Sequence, residues 1–281
     1  MVIVIESISE MQSWVASQIA SGKTIGFVPT MGALHAGHKQ LVVRAEKENE
    51  VSVCSIFVNP TQFNNPTDLE KYPRTFDTDK AILNEAGCDV IFFPSEKEMY
   101  PEGRQMIPFD LQGLDTVMEG RFRPGHFAGV VTVVKKLFDA VPAHRAYFGE
   151  KDFQQLAIIR FMTQAFQLPI QIIGCPTIRE TDGLAYSSRN IHLTPEERKA
   201  APLIYQSISN MVHHKNSHSV NESIQATISE INATQILKVE YLDVVDAQTL
   251  QTVSRWSDAP ILRVCIAVFT SKTRLIDNCA C

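Results

Sequence analysis

The sequence predicts an α/β protein in which a Rossmann-like, doubly wound parallel sheet precedes a smaller α+β domain. Short apolar runs alternate with amphipathic segments up to about residue 175, which is the spacing of repeated β-then-α units. Residues 51–58 form an apolar run, as expected of a strand buried on both faces. Beyond residue 176, helical segments are followed by strand-like runs.

The first predicted domain spans residues 1–175. Its strands are predicted at residues 24–28, 51–58, 89–93, 145–148 and 170–173, and its helices at 37–50, 77–86, 127–140 and 153–167. Pro29 is expected to end the first strand, and Gly87 is expected to stop the second helix. Strands that alternate with helices in this way imply parallel pairing.

The second predicted domain spans residues 176–281. A helix is predicted at 195–214, with Thr194 as its N-cap and Pro195 in its first position. A polar stretch and a second helical segment lead to strand-like runs at 237–245, 262–269 and 273–276. No helix is expected between the last two runs, which favours antiparallel pairing.

Composition excludes several classes of protein. The 281 residues are 44% hydrophobic and 20% charged, which is typical of a globular protein with a core that needs no disulfides. The net charge of −5 argues against a nucleic-acid partner, and no apolar run is long enough to predict a membrane span. The six cysteines form no CxxC pair, so we expect free, mostly buried thiols and a cytoplasmic location.

The segment with the strongest functional signal joins the first strand to the first helix. It is Pro29-Thr30-Met31-Gly32-Ala33-Leu34-His35-Ala36-Gly37-His38. Ligands bind open α/β sheets at such junctions, and a helix N-terminus suits phosphate. His35 and His38 lie on one side of a helical turn and can donate to the same polyphosphate. A zinc pair and a histidine helix cap are the alternatives, although zinc would need further ligands.

The His-x-Gly-His pattern resembles the signature of the nucleotidylyl transferase superfamily, and the flanking residues resemble the pantothenate synthetase family. The resemblance extends through Phe57-Val58-Asn59-Pro60-Thr61-Gln62-Phe63, Tyr72-Pro73-Arg74-Thr75, Arg123-Pro124-Gly125-His126-Phe127, Phe148-Gly149-Glu150-Lys151-Asp152-Phe153-Gln154-Gln155-Leu156 and Asp182-Gly183-Leu184-Ala185-Tyr186-Ser187-Ser188-Arg189-Asn190. These blocks occur in the same order as in the family between residues 29 and 190.

The resemblance implies an ATP-dependent acid–amine ligase that condenses (R)-pantoate with β-alanine through a pantoyl adenylate, and it implies a homodimer. The implied catalytic residues are His35, His38, Lys151, Ser187, Ser188 and Arg189. The implied ATP site contains Met31, Gly32, Ala33, Leu34, His35, Ala36, Gly37, His38, Gly149, Glu150, Lys151, Asp152, Ile178, Tyr186, Ser187, Ser188 and Arg189. The implied pantoate site contains Pro29, Met31, Asn59, Gln62, Arg123, His126 and Gln155.

Physical chemistry supports several of these roles and leaves alternatives open. Lys151 can place a positive charge beside an α-phosphate, and the amides of Gln62 and Gln155 can both donate and accept. Gln155 can instead form a capping box with Asp152. Asp79 is expected to help to place Mg²⁺, and an ordinary acidic residue at a helix N-terminus is the alternative.

Two other functions remain open at this point. A different nucleotidylyl transferase, which moves AMP or CMP onto a phosphate monoester, would share the two histidines but not the paired glutamine blocks. A non-catalytic nucleotide sensor would share the fold and would be expected to have lost a phosphate-contacting residue.

Overall fold

The protein is described here by a computed structural model that covers residues 2–63 and 66–281, with the backbone alone at 66–68. It divides into two compact units. The large unit contains residues up to 115, 120–150 and 155–176. The small unit contains 177–281 together with two short segments from the first half of the chain, 116–119 and 151–154.

A six-stranded parallel sheet forms the centre of the large unit. Its strands are β1 (Ile3–Ile5), β2 (Ile25–Thr30), β3 (Val51–Ile56), β4 (Val90–Phe92), β5 (Arg145–Gly149) and β6 (Gln171–Cys175). The order is β1-β4-β3-β2-β5-β6, and every pair is parallel. The predicted doubly wound sheet is therefore confirmed. Its topological switch point lies between β2 and β5, where the winding changes direction.

Helices occupy the connections between these strands. They are α1 (Ile8–Ala20), α2 (Ala36–Glu48), α3 (Pro66–Lys71), α4 (Phe76–Glu85), α5 (Glu96–Met99), α6 (Met118–Phe122), α7 (His126–Ala140) and α8 (Phe153–Ala165). Neighbouring strand residues enter different apolar clusters: Phe27 and Val53 join one, whereas Val28 and Cys54 join another. Since side chains alternate along a strand, both faces of the sheet are buried.

The N-terminal end of the large unit corrects two predictions. β1 and α1 were not predicted, because β1 has only three residues and α1 has a short apolar stripe in which only Met11 and Val15 are buried. Pro29 does not end β2 but pairs with Ser55 of β3. The register with β5 stops at Phe27, so the missing amide hydrogen of Pro29 breaks no ladder bond on that side.

The small unit packs helices on one face of an antiparallel sheet. Its strands, in order, are β7 (Lys238–Asp246), β8 (Leu262–Phe269) and β9 (Arg274–Ala280), and its helices are α9 (Pro195–Ala200), α10 (Leu203–His213) and α11 (Val220–Asn232). The apolar core between them includes Ile208, Val264 and Leu275. The predicted α+β architecture is thus confirmed.

Two element predictions in this unit were wrong in extent. The helix expected at 195–214 is interrupted at residues 201–202, because Pro202 has no amide hydrogen to continue the ladder. The last strand extends to Ala280 rather than ending at residue 276. The predicted cap is confirmed, since Thr194 and Glu197 form a reciprocal capping box.

The cysteines agree with the compositional analysis. All six cysteines are free, and four of them are buried. Burial raises the pKa of Cys88 to about 12, so this thiol stays protonated at neutral pH. Within residues 2–63 and 66–281, no helix combines the length and the apolar character that a membrane crossing requires.

Glu197 makes the stability of the small unit depend on pH, because folding lowers the pKa of its carboxyl group. Its carboxylate accepts the amide hydrogens of Ser271 at 2.8 Å and of Thr194 at 2.9 Å, which lower its pKa from 4.5 to about 2. Because folding lowers this pKa, the stabilising contribution is complete above about pH 4.5 and is lost as the pH falls through about 2.

Glu197→Gln is expected to lower the free energy of unfolding by about 1–2 kcal/mol at neutral pH. The difference from the unmodified protein should shrink as the pH falls below about 4.5, and urea unfolding at a series of pH values measures it. Glu196→Gln is the matched control, because Glu196 is exposed in the same helical turn. A difference that stays constant down to about pH 2 would contradict this account.

Candidate active site

The two histidines meet at the N-terminus of α2. His35 is the N-cap residue, and its Nδ1 accepts the amide hydrogen of Gly37 at 3.1 Å. The helix-cap alternative is therefore confirmed for His35. A nitrogen that accepts this bond has no proton, so the neutral ring has its proton on Nε2, which is a donor. Capping thus orients His35 as a hydrogen-bond donor.

His38 lies next to His35 in the first turn of α2. The centroids of the two rings are 4.0 Å apart, and the ring planes are inclined by 33°. This contact brings together the two residues that the sequence predicts as phosphate donors. Among the described residues no group of three or more metal-binding side chains occurs, so the zinc alternative gains no support.

A buried carboxylate holds the loop before these histidines. Asp79, in the first turn of α4, accepts the amide hydrogens of Ala33 at 2.9 Å and Leu34 at 2.8 Å, and the Thr75 hydroxyl at 3.2 Å. Gly32 and Ala33 both have positive φ, at 77° and 52°. This backbone turns successive amides toward one point, as in loops that bind anions. Here the anion is a side chain of the protein.

This arrangement bears on two predicted roles. Ala33 and Leu34 use their amide hydrogens on Asp79, so any contact that they make with ATP involves other atoms. Both oxygens of Asp79 accept hydrogen bonds, which is a poor arrangement for a dedicated Mg²⁺ ligand. The role of Asp79 in metal binding stays a prediction, whereas its contacts with the loop are observed.

A second cluster of polar side chains, which includes Asn59 and Gln62, follows the carboxyl end of β3. The side-chain amide of Gln62 donates to the Met31 sulfur at 3.2 Å, and its oxygen accepts from Asn59 at 3.1 Å. Asn59 is buried, and its oxygen also accepts from the Tyr100 hydroxyl at 2.7 Å. Burial raises the pKa of Tyr100, which keeps this donor protonated. Three residues predicted for pantoate therefore form one connected group.

Helix α7 contacts this group of residues through His126 and Gly129. His126 Nδ1 lies 2.8 Å from the Gln62 carbonyl oxygen, and Asn59 donates to the Gly129 carbonyl at 3.3 Å. A Cβ atom added at Gly129 would lie 2.5 Å from the Thr61 carbonyl oxygen. Gly129 is thus required for the close approach of α7 to the turn that presents Gln62.

The remaining predicted residues are divided between the two units. In the large unit, Pro29 lies within β2, Arg123 precedes α7, and Gln155 is half-buried in α8. Gly149 is the last residue of β5, where it pairs with Cys175 of β6, and Glu150 follows it. In the small unit, the Lys151 side chain is 18% exposed, and its nitrogen lies 3.9 Å from an oxygen of Asp152.

The serine loop, Ser187-Ser188-Arg189-Asn190, belongs to the small unit. Ser187 begins a short 3-10 helix, Ser188–His192, and its hydroxyl accepts the amide hydrogen of Arg189 at 3.3 Å. The amide of Tyr186 donates to the Ile178 carbonyl, so a short hairpin precedes the loop. Arg189 is exposed and can meet a ligand from solvent.

The sequence analysis missed the supporting roles of three residues. Asp79 was considered only as a metal ligand or a helix-terminal charge, because its partners in the loop, Ala33 and Leu34, lie more than forty positions away. Tyr100 and Gly129 belong to no motif in the printed sequence. An apolar helix with an internal glycine was the only available signal for Gly129, because such a glycine often marks a close contact.

Comparisons with known proteins define the class and then the family of this chain. It is a ligase, and it belongs to the pantoate–β-alanine ligase family, since the family model described as Pantoate-beta-alanine ligase matches residues 3–280. It is similar to a pantothenate synthetase of Bacteroides fragilis, with 52% identity over 98% of this chain and 97% of that protein.

Solved structures agree with this assignment. A crystal structure of pantothenate synthetase from Thermus thermophilus is 42% identical, has a TM-score of 0.91, and aligns over 99% of this chain and 98% of that one. A pantoate–β-alanine ligase from Francisella tularensis, complexed with β-γ ATP and β-alanine, is 38% identical with a TM-score of 0.83 over 99% and 97% of the two chains. Membership of this family removes the support for the two rival functions.

Asp79→Asn is expected to lower the free energy of unfolding by about 1–3 kcal/mol, because an amide would face the amide hydrogens of Ala33 and Leu34. Activity should fall while the Mg²⁺ concentration that gives half-maximal activity stays unchanged. Unfolding and Mg²⁺ titration measure the two effects. Asp77→Asn is the control, since Asp77 is an exposed carboxylate in the same turn. A raised Mg²⁺ requirement at unchanged stability would instead make Asp79 a metal ligand.

Gly129→Ala is expected to reverse the usual effect of this substitution. In an ordinary helix alanine is more stable than glycine by about 1 kcal/mol, whereas here the new methyl meets the backbone of Thr61 and should cost about 1–3 kcal/mol. The KM for pantoate should rise more than the KM for ATP, because the Gln62 turn moves. Urea unfolding and steady-state kinetics check both effects, and a gain in stability would refute the close contact.

Proposed function

We propose that this protein condenses pantoate with β-alanine at the expense of ATP, with pantothenate, AMP and pyrophosphate as products. Family membership over nearly the whole chain supports the overall reaction. The single structural observation that supports the nucleotide chemistry is the paired donors at the start of α2, with His35 and His38 only 4.0 Å apart. A helix N-terminus adds partial positive charge at the same position.

The first step forms pantoyl adenylate. A carboxylate oxygen of pantoate attacks the α-phosphorus of ATP, and the bond to the bridging oxygen breaks to release pyrophosphate. Gln62 is the proposed anchor for pantoate, since Asn59 and Met31 fix its amide. A neutral amide can orient the acid without quenching the charge of the nucleophile.

Negative charge develops on the phosphate oxygens during this step. His35 and His38 are proposed to donate hydrogen bonds there, and Lys151 and Arg189 are proposed to supply full positive charges. Ser187 and Ser188 are proposed to bind the departing phosphates. Fixed donors stabilise a transition state efficiently, because they need no reorganisation when the charge appears.

The second step transfers the acyl group. The amine of β-alanine attacks the carbonyl carbon of the adenylate, the bond to the AMP oxygen breaks, and the amine loses a proton to give the amide. Before this step the adenylate must be protected from water. We assign ATP and pantoate binding to residues 1–175. We assign the role of a lid, which carries the serine loop, to residues 176–281.

Three further features belong to the proposal. Mg²⁺ is proposed to bind through the phosphates of ATP, where it would neutralise charge, since the oxygens of Asp79 already accept amide hydrogens. The protein is proposed to act in the cytoplasm. A homodimer is proposed on the resemblance to the family alone.

The enzyme with Mg²⁺, ATP and pantoate, but without β-alanine, is expected to exchange labelled pyrophosphate into ATP. The exchange should require pantoate, and ¹⁸O from the pantoate carboxylate should appear in AMP after β-alanine is added. His38→Ala should slow the exchange by about 10²–10³-fold. His218→Ala, in a polar stretch, is the control and should leave the rate unchanged. Stoichiometric ADP without exchange would reject the adenylate mechanism.

A further inference from the structure

We propose that Asn278 is a positioning residue for Lys151, so that the sheet of the small unit fixes the proposed catalytic lysine. The proposal depends on the function above only for the role of Lys151. Asn278 belongs to no motif of the sequence analysis and lies 127 positions from Lys151.

Asn278 is 4% exposed, and both ends of its side-chain amide are occupied. Its nitrogen donates to the main-chain carbonyl of Lys151 at 2.9 Å, and its oxygen accepts from Arg263 Nε at 2.8 Å. A flipped amide would place oxygen against oxygen and nitrogen against a guanidinium, so the two contacts fix the orientation. The backbone of Lys151 is therefore tied to β9.

The face of the small sheet on which Asn278 lies explains why this contact exists. Side chains alternate along β9, so Leu275 and Cys279 face the helices while Arg274 and Asn278 face the opposite side. On that side the Arg263 guanidinium, from β8, also lies over the Phe153 ring, 4.6 Å from its centroid. Two neighbouring residues of this sheet thus hold segment 151–154.

The same face holds the other early segment of the small unit. Arg274 binds Glu119 through two hydrogen bonds, at 2.7 and 2.8 Å, and the Tyr241 hydroxyl donates to Glu119 at 2.8 Å. Gln154 donates to the Val117 carbonyl at 2.9 Å, which joins the two segments to each other. Segment 151–154 is therefore held by contacts with the sheet and by a hydrogen bond to segment 116–119.

The residue before Asn278 has a parallel role on the helical face of the sheet. Asp277 binds Arg179 through two hydrogen bonds, at 2.7 and 2.9 Å, and Arg179 also donates to the Gly183 carbonyl. Arg179 begins the hairpin that leads into Ser187. Consecutive residues of β9 thus hold the two segments that are proposed to bind phosphates.

This arrangement predicts which kinetic parameter Asn278 controls. A long lysine side chain gives a useful electrostatic contribution only when its backbone is fixed, and small displacements in an active site can cost about 10²-fold in rate. The loss should appear in kcat, because Lys151 is proposed to act on charge that develops in the transition state.

The test uses Asn278→Asp in the full-length protein, with pantoate-dependent pyrophosphate exchange as the readout. Aspartate keeps the acceptor for Arg263 and removes the donor to Lys151. We expect kcat to fall about 10²-fold, with the KM for pantoate within about twofold. Asn278→Ala has no added charge and should give the same result. Ile276→Val, on the same face of β9, is the control. Rates are corrected for the folded fraction measured by thermal unfolding.

A double-variant cycle separates positioning from a general structural role. In a Lys151→Ala background, Asn278→Asp should slow exchange less than about threefold further, because its effect acts through Lys151. A multiplicative loss, or single variants with unchanged kcat, would overturn the proposal. If Lys151→Ala itself exchanges at the original rate, the assigned role of Lys151 fails instead.

Discussion

The position of β2 between β3 and β5 is the constraint on which the site depends. Because all three strands are parallel, their carboxyl ends lie at one edge of the sheet. The switch in winding direction sends the connections after β2 and β5 to opposite sides, which opens a crevice in folds of this kind. The loop that leads to His35 and His38 follows β2, and Gly149 ends β5. Chemistry-bearing residues distant in sequence thus share one edge.

Buried polar side chains give this edge its precision. Asp79 and Asn59 are each only 1% exposed, and each accepts several hydrogen bonds from loop atoms. A buried carboxylate or amide without partners would be costly, so alternative loop conformations that break these bonds are strongly disfavoured. The loops of the site are therefore held by the protein itself before any ligand arrives.

Local patterns in the sequence predicted most of the fold, and one short motif predicted the histidine pair. Short apolar runs between amphipathic segments sufficed for β3 and β5, and Thr194 with Pro195 marked a helix start, because these signals arise from neighbouring residues. The contacts of Asp79 with Leu34 and of Asn278 with Lys151 span 45 and 127 positions. No local spacing encodes such pairings. Pro202 was a local signal that the periodicity analysis overlooked, since apolar positions continue on both sides of it.

The membership of segments 116–119 and 151–154 in the small unit has a consequence for protein engineering. A chimera joined at residue 176, where the sequence pattern changes, would take Lys151 from one parent and β9 from the other. Glu119 would then face residue 274 of the other parent, and Lys151 would face residue 278 of the other parent, so neither contact would join residues of one sequence. The unit of exchange that keeps these contacts is discontinuous: both short segments must travel with residues 177–281. Recombination between relatives should therefore respect the contacts of β9 rather than the linear domain boundary.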